Sequence, residues 1–360
     1  MRNGDMMRLQ RTNRTLAGWL VAVFCVGMAT AARADVAVLV EQPYGKLNIF
    51  NPGGHSAVYL DHVCAESPTK LRACKPGELG VVISRYDGID GYDWLAMPLV
   101  PYLYAVDSAA EIPETVDRAE EIELRDTYRR KYLEAIVPDL PDGSAPGGNW
   151  YELVGSAYDR TTYGFQMKTT AAQDAELIAM YNDRKNKQRY NGMFINCADF
   201  SRVVVNRYYP HAVRRNLIAD FGVTSPKWVA RSVSHYASRH PEAGLQVFEI
   251  KQVKGDLPRS HSNTGVAEAL VKRYGLPMVV ISPEATAVVL AAYVGHGRFR
   301  MPKNAPLLDV STLDPNGEGA NMTVSRAISK PSPGAAAALA PAAEGAAVAV
   351  DALRDGSHNP

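Results

Sequence analysis

Cys197 lies in Ile195-Asn196-Cys197-Ala198-Asp199-Phe200, where an apolar, strand-like run ends and a helix begins. A thiol at a helix N-terminus feels the partial positive charge of unpaired backbone N–H groups, which favours the nucleophilic thiolate. Thiol catalysis also needs a base beside the sulfur and a third group that orients the base. His55 is the leading base candidate. It opens the apolar run Gly54-His55-Ser56-Ala57-Val58-Tyr59-Leu60, directly after Gly53, where a second backbone segment can approach closely. Of the other histidines, His235, His240 and His261 lie in polar segments, His358 in the C-terminal tail, His211 after Pro210, and His296 between two glycines. His62 is the rival. By residue type alone, a histidine at a strand start is more often structural, and an unpaired cysteine more often buried than reactive.

The cysteine count bears on which thiol is free. Residues 1–34 read as an export leader: Arg2, Arg8, Arg11 and Arg14, then the apolar run Leu16–Met28, then Ala32-Arg33-Ala34 before Asp35. Phe24 before Cys25 argues against lipidation. Cleavage after Ala34 removes five basic residues and one acid from 39 and 38, leaving 34 and 37, a net charge of −3. That balance gives no support to sequence-independent nucleic-acid binding. Three cysteines remain. In an oxidising compartment Cys64 and Cys74 are close enough in sequence to close a short loop, which leaves Cys197 as the odd one. A bridge from Cys197 to either of them is the alternative.

These residues need elements to hold them. The turn Asn51-Pro52-Gly53 precedes the His55 strand, and Leu79–Ser84 follows Pro76-Gly77 as a second strand, so the two are expected to pair as a hairpin. Residues 107–137 read as charged helix. Thr170-Ala171-Ala172-Gln173 is a capping box that predicts a helix over 171–187. The Cys197 helix should stop before Pro210, and Ser225-Pro226 starts another over 226–239. Leu245–Ile250 alternates as a strand. Gly265–Tyr274, Met278–Ile281 and Glu284–Val294 read as helix, strand and helix. Pro283 and Glu284 argue against a membrane span in that last stretch. Four segments result: the leader (1–34), a main domain (35–260), a C-terminal α/β extension packed on it (261–324), and a disordered tail rich in Ala, Pro and Gly (325–360).

Gly54–Leu60, followed by Asn196-Cys197-Ala198-Asp199-Phe200, resembles the circularly permuted NlpC-like papain-fold cysteine hydrolases, the group that includes the lecithin:retinol acyltransferase type. There a Gly-His-x-x-x-Tyr-like strand precedes an Asn-Cys-x-x-Phe helix start. With Gly164–Thr170 and Tyr190-Asn191-Gly192, the chain is similar to uncharacterised exported bacterial members of that group. The resemblance covers residues 45–90 and 164–210. It implies an α+β fold with an antiparallel sheet packed on the cysteine helix, Cys197 as nucleophile and His55 as base.

The third group departs from the family pattern, which puts a His, Asn or acid on the strand after the histidine strand. A hairpin centred on the 64–74 loop places a residue near 83 opposite His55. Ser84, Tyr86 and Asp87 are the polar choices, and Ser84 is taken as the orienting group. Tyr86, Tyr190, Asn191 and Asn196 are the candidate binding residues, although Asn196 also reads as a plain helix cap and Asp199 as a dipole partner. No spacing argues for a metal, and no cofactor is expected. The expected activity is hydrolysis or acyl transfer at an amide or ester of a peptidoglycan peptide or a lipid in the cell envelope, in a periplasmic or secreted protein without a membrane span. The alternative is a non-catalytic envelope-binding protein on the same fold.

Overall fold

The structure is a computed structural model that describes residues 33–44 and 53–310; residues 1–32 of the expected leader and the expected tail lie outside them. Along the chain come strands β1 (Arg33–Glu41), β2 (His55–Leu60), β3 (Val63–Ser67), β4 (Lys70–Ala73), β5 (Val81–Ser84) and β6 (Leu95–Pro98), then helix α1 (Leu99–Tyr104). β7 (Thr115–Val116), helix α2 (Arg118–Tyr132) and a 3-10 turn (Asn149–Glu152) lead to α3 (Ser156–Asp159) and β8 (Thr162–Thr170). Helices α4 (Ala171–Asp183), α5 (Cys197–Tyr208) and α6 (Pro226–Arg239) follow. β9 (Gln246–Ile250), β10 (Lys254–Gly255), α7 (Val266–Ile281) and α8 (Pro283–Ala292) come next, and a π-helical turn (Tyr293–Gly297) closes the order.

The fold is α+β. Its centre is a six-stranded antiparallel sheet ordered β6-β5-β2-β1-β8-β9. Alternation along the strands feeds two core layers, one on each face. Ala37, Leu39, Ala57, Tyr59, Val82 and Met97 face the layer shared with α1, Tyr128 and Tyr158. Val38, Val40, Val58, Leu60, Val81 and Ile83 face the layer shared with α4, α5 and α6. β2 is therefore buried along its whole length.

Three local features depart from the sequence reading. β1 is a central strand, although the sequence reading began the fold at β2. Its residues 35–41 directly follow the expected cleavage point, where a mature N-terminus is normally loose. β2 does pair with β5, but in the register Val58↔Ile83 and Tyr59↔Val82, which puts Tyr86 opposite His55 instead of a residue near 83. The reason is that β3 and β4 form a separate two-stranded ribbon with a bulge, so the loop does not fold symmetrically about its midpoint. Cys64 and Cys74 are joined by a disulfide in that ribbon. Finally, Met278–Ile281 is the last turn of α7 and not a strand. Its β-branched residues suit a strand by propensity, but among the described residues no strand pairs with them, and the helix that starts at Val266 continues through them.

Residues after 261 are tied back to the sheet. Asn263 Nδ2 donates to the carbonyls of Glu41 and Gly53, both at 2.7 Å, and Leu308 N donates to Glu249 O at 2.9 Å beside β9. Leu308 and Val310 enter the same core layer as β1 and β2.

Candidate active site

His55 is placed by its preceding glycine. Gly54 has φ +75, and a Cβ there would fall 2.0 Å from Glu41 O and 2.7 Å from Asn263 Nδ2. Only glycine lets β2 leave its turn this close to the end of β1.

Cys197 is placed by its cap. Asn196 Oδ1 accepts the Asp199 N–H at 2.7 Å, while Asn196 Nδ2 donates to Gly192 O (3.1 Å) and Thr224 O (3.0 Å). Arg85 Nη1 reaches the Asn196 carbonyl at 3.4 Å. The Asn196 side chain is thus fully engaged in holding the helix start, which removes it from the candidate binding residues. Asp199 keeps a structural place: Arg202 Nε and Arg215 Nη2 donate to its Oδ1 at 2.9 and 2.7 Å.

Serines lock the two elements together. Ser56 Oγ and Ser201 Oγ share a buried hydrogen bond of 2.9 Å between β2 and α5, and Ser201 Oγ lies 3.2 Å from the Cys197 carbonyl. Ser84 Oγ donates to the Ser56 carbonyl at 2.7 Å. Ser84 therefore braces β2 and does not orient His55; the assignment made from the symmetric hairpin is corrected by the observed register.

The group that meets the imidazole is Glu152, which is not among the residues expected from the sequence. Its Oε2 lies 3.4 Å from His55 Nδ1. Its other oxygen accepts from Arg160 Nη2 at 2.6 Å, and Arg160 Nη1 continues to Glu41 Oε2 at 3.1 Å. Tyr102 closes the chain by donating to Glu41 Oε1. Every member of this chain is buried. Arg125 secures the loop after Glu152, donating to Val154 O and Gly155 O at 2.9 and 2.8 Å. Tyr86 stacks on His55, ring centroids 5.1 Å apart and planes 20° apart. It is a buried wall of the site.

Cys197 is the other group that acts on the imidazole. Burial alone would push His55 down. The interaction with Cys197, then the carboxylates of Glu152 and Glu41, outweigh burial and raise His55 to about 9. Glu152 is opposed by burial too, yet Arg160 and His55 hold it below the usual carboxylate range. No hydrogen bond of regular geometry joins Nε2 to the sulfur, and Nε2 is buried without a nitrogen or oxygen partner. Resting geometry in thiol sites is often looser than reacting geometry. Behind the imidazole, Glu152, Arg160 and Glu41 thus form a buried chain of acid, base and acid.

Cys197 is 6% exposed. Tyr190, half-buried, stands close enough for Cys197 to push its phenol up, a shift due first to burial. Asn191 is exposed; it exchanges backbone hydrogen bonds of 3.0 Å with Ile195, and its Oδ1 accepts the Met193 N–H at 2.9 Å. These bonds make residues 190–195 a tight loop beside the thiol. His62 is ruled out as the base by position. It lies beyond the far end of β2, about 20 Å from His55 at strand rise, bonded to Asp61 at 2.7 Å. Among the described residues one cluster, Cys64, Cys74 and Glu78, has metal-ligand atoms close together, but its sulfurs are spent on the disulfide.

No sequence signal marks Glu152 as strongly as Gly-His or Asn-Cys marks its residues. The available hint was an acid behind two aromatics, in Asn149-Trp150-Tyr151-Glu152, closing a Pro/Gly-rich loop. No protein-family model, no curated protein and no solved structure matches the chain.

Proposed function

We propose that this protein is an exported thiol hydrolase or acyl-transfer enzyme on a permuted papain-like fold, with Cys197 as nucleophile, His55 as acid and base, and Glu152 as the orienting third member. The observation that carries the reading is the buried sequence Cys197–His55–Glu152, braced from behind by Arg160 and Glu41. A buried carboxylate on Nδ1 fixes the ring so that Nε2 addresses the sulfur, the arrangement general base catalysis needs.

In the first half-reaction the thiolate attacks an amide or ester carbonyl and a C–S bond forms. The helix-start N–H of Cys197 is the donor to the developing oxyanion. The tetrahedral centre collapses, the C–N or C–O bond breaks, and the His55 imidazolium gives its Nε2 proton to the leaving nitrogen or oxygen. Water or another hydroxyl or amine then loses a proton to neutral His55 and attacks the thioester. The tetrahedral centre collapses, the C–S bond breaks, the acyl group leaves on the new nucleophile, and the Cys197 thiolate and His55 imidazolium are restored.

The near-complete burial of the sulfur favours a second reading, a binding protein that keeps the fold without the chemistry. One experiment separates them. The folded protein is incubated with p-nitrophenyl esters of graded acyl length and with short peptide amides, and intact mass is recorded. The enzyme reading expects a burst of p-nitrophenol and an acyl adduct on Cys197 that hydroxylamine removes, lost in Cys197→Ala and slowed in His55→Ala. A folded chain that forms no adduct and whose sulfur reacts with iodoacetamide only after denaturation is a binding protein.

A further inference from the structure

α7 and α8 form an antiparallel hairpin whose base is fixed and whose tip is not covered by any described residue. At the base, Lys227 pairs with Glu268 at 2.5 Å, Val266 N donates to Asp220 Oδ1 at 2.8 Å, and Ala267 N donates to Ala219 O at 2.9 Å. Ala267, Val289 and Ala219 form a small core there. Toward the tip, Leu276, Val280 and Ile281 are 83–85% exposed and Val288 is 66% exposed. Apolar side chains this open, grouped on one projection, mark a surface that meets something apolar.

Charge says what kind. Residues 275–297 contain one charged side chain, Glu284, plus His296. Lys272 and Arg273 stand just before this stretch, and Arg298 and Arg300 just after it. All four are exposed. Lys272 also contacts Glu268 at 2.7 Å. At helical rise, Val280 lies about 12 Å beyond Lys272 along α7. An apolar tip of that depth below a collar of cations fits the boundary between headgroups and acyl chains of an anionic bilayer. No helix among the described residues is long and apolar enough to cross a membrane, so the hairpin would dip in without spanning.

We infer that the α7–α8 hairpin is a membrane-surface anchor, its tip seated in the acyl boundary and its basic collar on anionic phospholipid headgroups. The inference does not rest on thiol chemistry, and vesicle binding can be read whether or not Cys197 is catalytic. Exposed apolar residues continue from the hairpin base toward the thiol: Leu217, Ile218 and Phe221 flank Ala219, and Leu217 and Phe194 both lie against Gly222.

The test is flotation of the full chain with phosphatidylcholine vesicles, with and without phosphatidylglycerol. The anchor expects co-flotation that strengthens by about fivefold per engaged cation at an anionic surface and weakens with salt. Val280→Asp with Ile281→Asp should cut binding by about a hundredfold, and Arg298→Glu with Arg300→Glu should remove the preference for phosphatidylglycerol. Because residues 1–34 carry their own apolar run, a local reporter is needed as well. Leu276→Trp should add an emission component that shifts blue on vesicles and is quenched by brominated lipid. Absence of that shift, or unchanged flotation of the Asp pair, overturns the anchor. If the Asp pair instead converts a dimer to a monomer in sedimentation while vesicles bind neither form, the tip is an interface between copies.

Discussion

Glu152→Gln isolates charge from shape at the one site residue the sequence did not announce. Glutamine keeps an oxygen within reach of His55 Nδ1, so the ring can stay oriented, but the negative charge is gone. Two unit charges 3.4 Å apart interact by about 5 kcal/mol at an effective dielectric of 20. Arg160, 2.6 Å from the other Glu152 oxygen, offsets much of this. A surviving effect of about 1.5–2.5 kcal/mol lowers an imidazole by about one to two pH units. His55 stands at about 9 in the parent, so its midpoint is expected to fall to between about 7 and 8. The assay is a pH titration of the histidine Cε1–H signals by NMR, with His55 assigned by His55→Gln. Ser84→Ala is the control and should leave the midpoint in place, because its hydroxyl bonds to the Ser56 carbonyl. A His55 midpoint that stays within a few tenths of the parent in Glu152→Gln, or that moves in Ser84→Ala, refutes the assignment of the third member. In the parent, the stability contributed by His55 is fully present below about pH 6.5 and is lost as pH rises through about 9. The span corresponds to about 3 kcal/mol.

Other perturbations address the scaffold and access to the thiol. Tyr190→Ala should speed alkylation of Cys197 in the folded protein several-fold by opening the loop beside it; an unchanged rate would mean that another part of the chain covers the sulfur. Gly54→Ala should destabilise by about 3 kcal/mol or more, through positive φ and the clash with Glu41 O, visible as a lower urea midpoint. Asp174, buried and bonded to Tyr208, is pushed up to about 6, mainly by burial. Its contribution is present below about pH 3.8 and is lost as pH rises through about 6. Asp174→Asn should therefore gain about 2–3 kcal/mol on the parent between pH 4 and pH 8, and a pH-independent difference would contradict this. Replacing both Cys64 and Cys74 by Ala should cost about 2–3 kcal/mol for the opened ten-residue loop, measured by denaturant titration.

The parts of the site legible in the sequence are those made by neighbours along the chain. Asn196 caps a helix three residues ahead, glycine before His55 permits a close turn, Thr170 and Gln173 box the start of α4, and Ser225-Pro226 starts α6. Such signals act over two to four residues, so the sequence alone located Cys197 at a helix start, His55 at a strand start and the pair of cysteines that close a loop. The tertiary structure decided everything that depends on which distant segments meet. β1 became a central strand because both its faces find cores. The β2–β5 register moved because the intervening ribbon folds on itself. The carboxylate that meets His55 came from a loop after α2, not from the strand beside His55, because Arg125 and Arg160 hold that loop over the adjoining ends of β1 and β2. An ion pair between residues 97 apart in sequence (His55 and Glu152) is set by chain crossing and burial, and nothing within a few residues of either one encodes it.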